Sequence, residues 1–173
     1  MHKLTTIWIS LTLMLAATSW GQTSSSQRIL ANDILGVWRL VAVESIYGDG
    51  RKTTEWLGDH PSGLIIYLKD GSMSVQMMRY PRPLWDSTIF EKATIEERAA
   101  AFNGYYAYYG RWQFDEEKSV IRHFVEGSLR PTEVNTTYER NVSLDGKLLT
   151  LTTTPRNING TMRFNRLTWT RSQ

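Results

Sequence analysis

The chain has 173 residues, 41% of them hydrophobic and 21% charged, with a formal net charge of +3; this excludes a disordered chain and suits one domain large enough to bury a core. Basic and acidic residues are interspersed with no Lys/Arg stripe, which argues against nucleic acid as a partner. Cysteine is absent, so disulfides and cysteine-linked lipids are excluded.

Residues 1–21 read as a secretory signal peptide. Lys3 supplies the positive n-region, Ile7 to Ala17 the apolar h-region, and Ser19-Trp20-Gly21 small residues at the −3 and −1 positions of a cleavage site. The alternative is an uncleaved anchor helix, but the apolar run is short of the roughly 20 residues that span a membrane. No second run is long enough to cross, so no stable span is expected after cleavage. The mature chain is expected to be exported, periplasmic or secreted, and the lack of cysteine fits a bacterial periplasm slightly better. Residues 22–33 are expected to form a polar tether and residues 34–173 the folded domain.

Strands and tight turns follow. Val37 to Ile46 is rich in β-formers and ends at Tyr47-Gly48-Asp49-Gly50, a turn signal. Lys52 to Leu57 predicts a weaker strand, Gly63 to Leu68 a third, and Asp70-Gly71 turns into Ser72 to Arg79. YPRPLWDS carries two prolines and cannot sit inside a sheet. Thr94 and Glu97 form a capping box ahead of three alanines, which predicts a helix from Ile95 to about Tyr106. Ile95, Phe102 and Tyr106 should form its protein-facing stripe, over the barrel or its mouth. Further strands are expected at Tyr109–Asp115, Val120–Glu126, Thr137–Leu144, Leu148–Thr153 and Thr161–Arg171, with Asn159-Gly160 as a hairpin turn. Eight or nine antiparallel strands joined by short turns are most simply closed into an all-β, up-and-down barrel, which removes exposed edges. The seven Trp, eight Tyr and five Phe suit strands and the walls of an apolar cavity.

The two ends of this meander carry Gly36-Val37-Trp38 and Arg171. They resemble the lipocalin arrangement, in which a Gly-x-Trp on the first strand closes the barrel and an arginine from the last strand covers the ring. A guanidinium stacked on an indole would tie first strand to last. The ordered runs GLIIYLKDGSMSVQMMR, YAYYGRWQFD, VIRHFVEGSL, YERNVSLDGKLLTL and LTWTR resemble the bacterial and fungal lipocalin-like domain family over about residues 34–171. The resemblance implies a small barrel with an internal cavity. It implies no particular activity.

Candidate site residues are few. His123 lies mid-strand and matches a histidine of that family; Arg140 matches its arginine on the next strand, and Tyr108 its tyrosine before Tyr-Gly. His123 and Arg140 could approach across an antiparallel ladder, either as a hydrogen-bonded pair fixing register or as an anchor for a ligand carbonyl or carboxylate. Glu126, three residues from His123, should point to the opposite face unless a bulge intervenes. Gln76 and Met78 share a face with Ser74 and are candidates for a cavity wall. Trp112 and Phe114 should face inward, Trp56 and Trp85 could line the mouth, and His60 belongs to an exposed turn. No cofactor motif is present, and the two histidines beyond the leader, His60 and His123, show no metal-ligand spacing. Asn135, Asn141 and Asn159 stand in Asn-x-Ser/Thr sequons.

Three functional readings follow. The favoured one is an exported carrier or sensor holding a small apolar molecule, using Gln76, Met78, Tyr108, His123 and Arg140. The second is a cofactor-free isomerase or cyclase, with His123 as general acid or base and Arg140 or Tyr108 steadying an oxyanion. The third is a filled barrel with no ligand. The carrier is favoured because the sequence shows no activated nucleophile and no paired acid and base.

Overall fold

The first and last strands of the domain lie side by side, with Trp38 directly opposite Arg171 and Tyr47 opposite Arg163. That pairing closes the sheet. The computed structural model describes residues 28–172; the leader, its cleavage site and the first half of the expected tether lie outside them. The strands are β1 (Gly36–Tyr47), β2 (Lys52–Thr53), β3 (Ser62–Tyr67), β4 (Ser72–Met78), β5 (Tyr105–Asp115), β6 (Val120–Ser128), β7 (Thr137–Asp145), β8 (Leu148–Thr153), β9 (Arg156–Ile158) and β10 (Thr161–Arg171). All neighbours pair antiparallel, in the order β2-β1-β3-β4-β5-β6-β7-β8-β10-β9, with β1 also on β10. Eight strands thus form the closed barrel, and β2 and β9 are short hairpin partners at one end.

Local chemistry explains most of this. Gly71 and Gly146 adopt positive φ in their Asp-Gly turns, and both Asn159 and Gly160 do so between β9 and β10, as a tight hairpin requires. Inside the barrel, side chains alternate. Trp38 and Leu40 point inward on β1, and then Val43 and Ser45 do. The switch from even to odd follows from a register shift between Leu40 and Ala42 opposite β10, a bulge that advances the inward face by one residue. A second shift falls opposite Tyr109 and Gly110 and makes Glu126 the extra residue of β6. Glu126 stays exposed. Gly110 is required there, because a Cβ would stand 1.9 Å from the Phe124 carbonyl oxygen.

The closed end is built as the two terminal motifs predict. Trp38 is fully buried, and the Arg171 guanidinium lies 4.1 Å from its ring centroid. A short helix, α1 (Ala31–Ile34), runs into the plug. Three carbonyls at its end are taken: Trp38 Nε1 donates to Ile34 O at 2.8 Å, Arg171 Nη1 to Leu35 O at 2.8 Å, and Arg171 Nη2 to Asp33 O. Gly36, at φ +112°, makes the bend from α1 into β1 that places this plug. Residues 28–33 are therefore part of the fold rather than tether. Arg28 pairs with Glu116 at 3.5 Å, and the Ala31 amide donates to the same carboxylate at 2.9 Å.

Three expectations need correction. The strand expected over Lys52–Leu57 is only Lys52–Thr53. The helix α2 is Ile95–Asn103, and Tyr105 and Tyr106 already belong to β5 opposite Met78 and Met77; aromatic residues with strand partners leave the helix at Gly104. The apolar stripe on α2 is not buried either: Ile95 is 80% exposed and Phe102 49%. The capping box does form, with Glu97 accepting from the Thr94 amide at 2.7 Å and Thr94 from the Glu97 amide at 3.1 Å. Polar contacts, such as Arg82 to Ala101 O at 3.0 Å and the Asp86 amide to Glu97 at 2.9 Å, attach the helix to its own loop. No described helix is long and apolar enough to cross a membrane.

Candidate functional site

Inward-facing positions change character along each strand, moving away from the plug. On β10 they run Trp169, Leu167, Asn165, Arg163; on β8, Leu149, Leu151, Thr153; on β7, Leu144, Val142, Arg140. Apolar residues fill the barrel near Trp38, and polar ones surround a cavity of about 230 Å³ at the other end. Ile65, Val75, Met77, Leu151, Leu167 and Trp169 form its apolar wall, and Arg130, Arg140, Arg156 and Arg163 with the single carboxylate Glu133 line its outer part.

His123 stands in the wall, 1% exposed. Both its ring nitrogens are engaged: Nε2 with the Tyr67 hydroxyl and Nδ1 with the Tyr108 hydroxyl, each at 2.8 Å. Burial holds the imidazole pKa well below its ordinary value, and the Arg140 guanidinium pushes the same way. Burial also drives the Tyr67 phenol well above its usual range and raises Tyr108 to about 12. At neutral pH the cluster is thus a neutral imidazole between two neutral phenols. Toward the mouth, Tyr106 Oη and Ser128 Oγ each donate to Glu133 Oε2 at 2.7 Å. Burial alone would raise the Glu133 carboxyl, but these hydrogen bonds and Arg130 leave it below its ordinary value, so it remains charged. The Arg130 guanidinium lies 4.7 Å from the Tyr106 ring centroid.

His123, Tyr108 and Arg140 all line the cavity. His123 and Arg140 are not cross-strand partners, however. His123 faces Tyr138 and Arg140 faces Ile121. Arg140 stacks on the Tyr138 ring at 4.8 Å and donates to the Glu139 carbonyl at 2.9 Å. The partners of His123 are tyrosines on β3 and β5 instead. Gln76 and Met78 are corrected outright: Met73, Val75 and Met77 are the buried face of β4, and Gln76, half-buried on the other face, donates to Ser74 Oγ. Trp112 is buried as expected, with Phe114 packed against the core. Trp56 lines the cavity, whereas Trp85 lies against Phe90 at 5.7 Å, away from it. His60 and the sequon residues Asn135, Asn141 and Asn159 are exposed. Among the described residues no three His, Cys, Asp or Glu side chains come together as a metal site.

Tyr67, Tyr138, Trp169 and the arginines 130, 156 and 163 were not singled out from sequence. Tyr67 shares the face of Ile65 on β3, two residues away, and Arg163 the face of Leu167 on β10; period-two reading from a known buried residue would have reached both.

An eight-stranded meander closed at one end, with an arginine-rimmed cavity at the other, defines a small barrel shaped to hold a ligand. The comparisons agree. The lipocalin-like domain model matches residues 35–172, and the chain belongs to that family. A relative from Aspergillus oryzae (strain ATCC 42149 / RIB 40), the 4'-hydroxy-3'-methoxypropiophenone carrier protein, is 36% identical over 104 residues, covering 56% of this chain and 94% of the relative.

Proposed function

We propose that this protein is an exported carrier that holds a small, largely apolar one-ring molecule in the barrel cavity. The observation that carries the reading is the cavity itself. Its volume of about 230 Å³ lies between the about 150 Å³ that accommodates benzene and the about 300 Å³ at which drug-sized pockets begin. A substituted ring fits that range. The apolar wall supplies affinity by burial, and the polar groups supply orientation. The relative is named for carrying a one-ring aryl ketone, which supports the same ligand class here.

Carriage is favoured over transformation by the state of His123. Tyrosine hydroxyls occupy both its nitrogens, so neither is open to take a proton from a ligand. Export is proposed on the leader-like residues 1–21 alone.

Native mass spectrometry of the protein purified from its own host tests the reading. A reproducible extra mass within the range of a one-ring compound, lost on unfolding, is expected. A protein that stays bare after soaking in host extract would overturn it. Amino-terminal sequencing of the same sample should begin at Gln22, and a sequence beginning at Met1 would remove the export claim.

A further inference from the structure

The direction of the hydrogen bonds around His123 follows from counting protons. Tyr67 is fully buried, does not line the cavity, and its hydroxyl meets His123 Nε2 at 2.8 Å as its one side-chain partner. Were it to accept there, its own proton would be buried unpaired, which folded proteins avoid. Tyr67 therefore donates to Nε2. A neutral imidazole carries one proton, which must then sit on Nδ1. Nδ1–H donates to the Tyr108 oxygen at 2.8 Å, and the Tyr108 proton is left without a partner. Tyr108 does line the cavity.

An independent observation points the same way. The Trp169 indole, fully buried and also lining the cavity, has no hydrogen-bond partner for Nε1. An indole N–H can only donate. Tyr108 and Trp169 thus line one cavity, each with a buried donor that has no protein acceptor.

We infer that Tyr108 Oη–H and Trp169 Nε1–H form a donor-only subsite that selects ligands by an acceptor oxygen, a ketone carbonyl above all, with Tyr67 as the positioning residue that sets its polarity through His123. The inference rests on the carrier reading and names the chemistry that reading leaves open. A carbonyl oxygen offers two lone pairs and no competing proton, so it can accept from such donors. A hydrocarbon of the same shape leaves both unpaired.

Two measurements test it. In protein carrying 15N-labelled histidine, the His123 resonances should show hydrogen on Nδ1 and a bare, hydrogen-bonded Nε2 at neutral pH. Hydrogen on Nε2 would overturn the assigned direction. Binding of propiophenone and of propylbenzene is then compared by calorimetry. Propiophenone should bind roughly tenfold tighter. Tyr108→Phe and Trp169→Phe should each shrink that ratio. Tyr67→Phe should shrink it too while leaving propylbenzene affinity unchanged; a merely structural role for Tyr67 would weaken both probes alike. Equal affinities in the wild-type protein would overturn the donor subsite and leave the carrier reading standing. Failure of both probes to bind would overturn both.

Discussion

At the closed end of the barrel most polar groups answer one another, Trp169 Nε1 and Ser172 Oγ excepted. The carbonyls of Asp33, Ile34 and Leu35 are all taken by Trp38 and Arg171, and the single guanidinium is spread over an indole. At the open end they do not. Arg140, Arg156 and Arg163 line the cavity without a carboxylate within salt-bridge distance among the described residues. The same sheet carries both ends, so the difference lies in the side chains. One end is held by the plug and contributes stability. The other has groups that only an added molecule or water would satisfy, as expected of a binding site.

The largest effect should come from breaking the closed end. Trp38→Ala is expected to cost about 3–5 kcal/mol in a urea titration, by lost burial and the cavity left behind. A cost below about 1 kcal/mol would show that the barrel is closed by something other than the plug.

The next effect separates the ends by pH. The folded-state pKa of His123 lies well below 6.5, so below about pH 6.5 the unfolded chain binds a proton that the folded chain refuses. Its contribution to stability is fully present above pH 6.5 and is lost as pH falls toward the folded pKa, by about 1.4 kcal/mol per pH unit. His123→Gln should flatten that slope, whereas Trp38→Ala should retain it, because Arg171 keeps its charge throughout. An unchanged slope in His123→Gln would mean that His123 is already protonated in the fold.

The smallest effect concerns the rim. Arg163→Gln should leave stability within about 0.5 kcal/mol, since it removes no paired contact. It should weaken binding of benzoate, a one-ring anion, by roughly 2–5-fold at low salt, and leave propiophenone unaffected. Equal loss for both probes would mean that Arg163 shapes the site rather than charging it.

Much of the fold was legible because its causes are local. Strand limits follow from Asp70-Gly71, Asp145-Gly146 and Asn159-Gly160 and from the alternation between them. Gly36, Trp38 and Arg171 were readable as a closing device through the resemblance to lipocalins, to which the stacking of a guanidinium on an indole gives a physical reason. The site was half legible. His123, Tyr108 and Arg140 do reach one cavity, but the expected pairing of His123 with Arg140 fails by two residues. Leu129 to Thr136, a long connection with its own short 3₁₀ turn, joins β6 to β7, and such a loop does not set register as a tight turn does. Gln76 and Met78 were misplaced because SMSVQMM has methionine on both faces of β4; a wall around so small a space is the apolar face, not the polar one.

By itself, then, the amino-acid sequence determined an antiparallel meander, its tight turns and the mid-strand place of His123, while the plug was legible through a family resemblance. Turn preference and side-chain period depend only on near neighbours along the chain. The tertiary structure alone decided which face of β4 lines the cavity, that the partners of His123 are Tyr67 and Tyr108, and that Trp169 is left unpaired. Those outcomes depend on register and bulges summed around the closed barrel, and each joins residues from strands far apart in sequence.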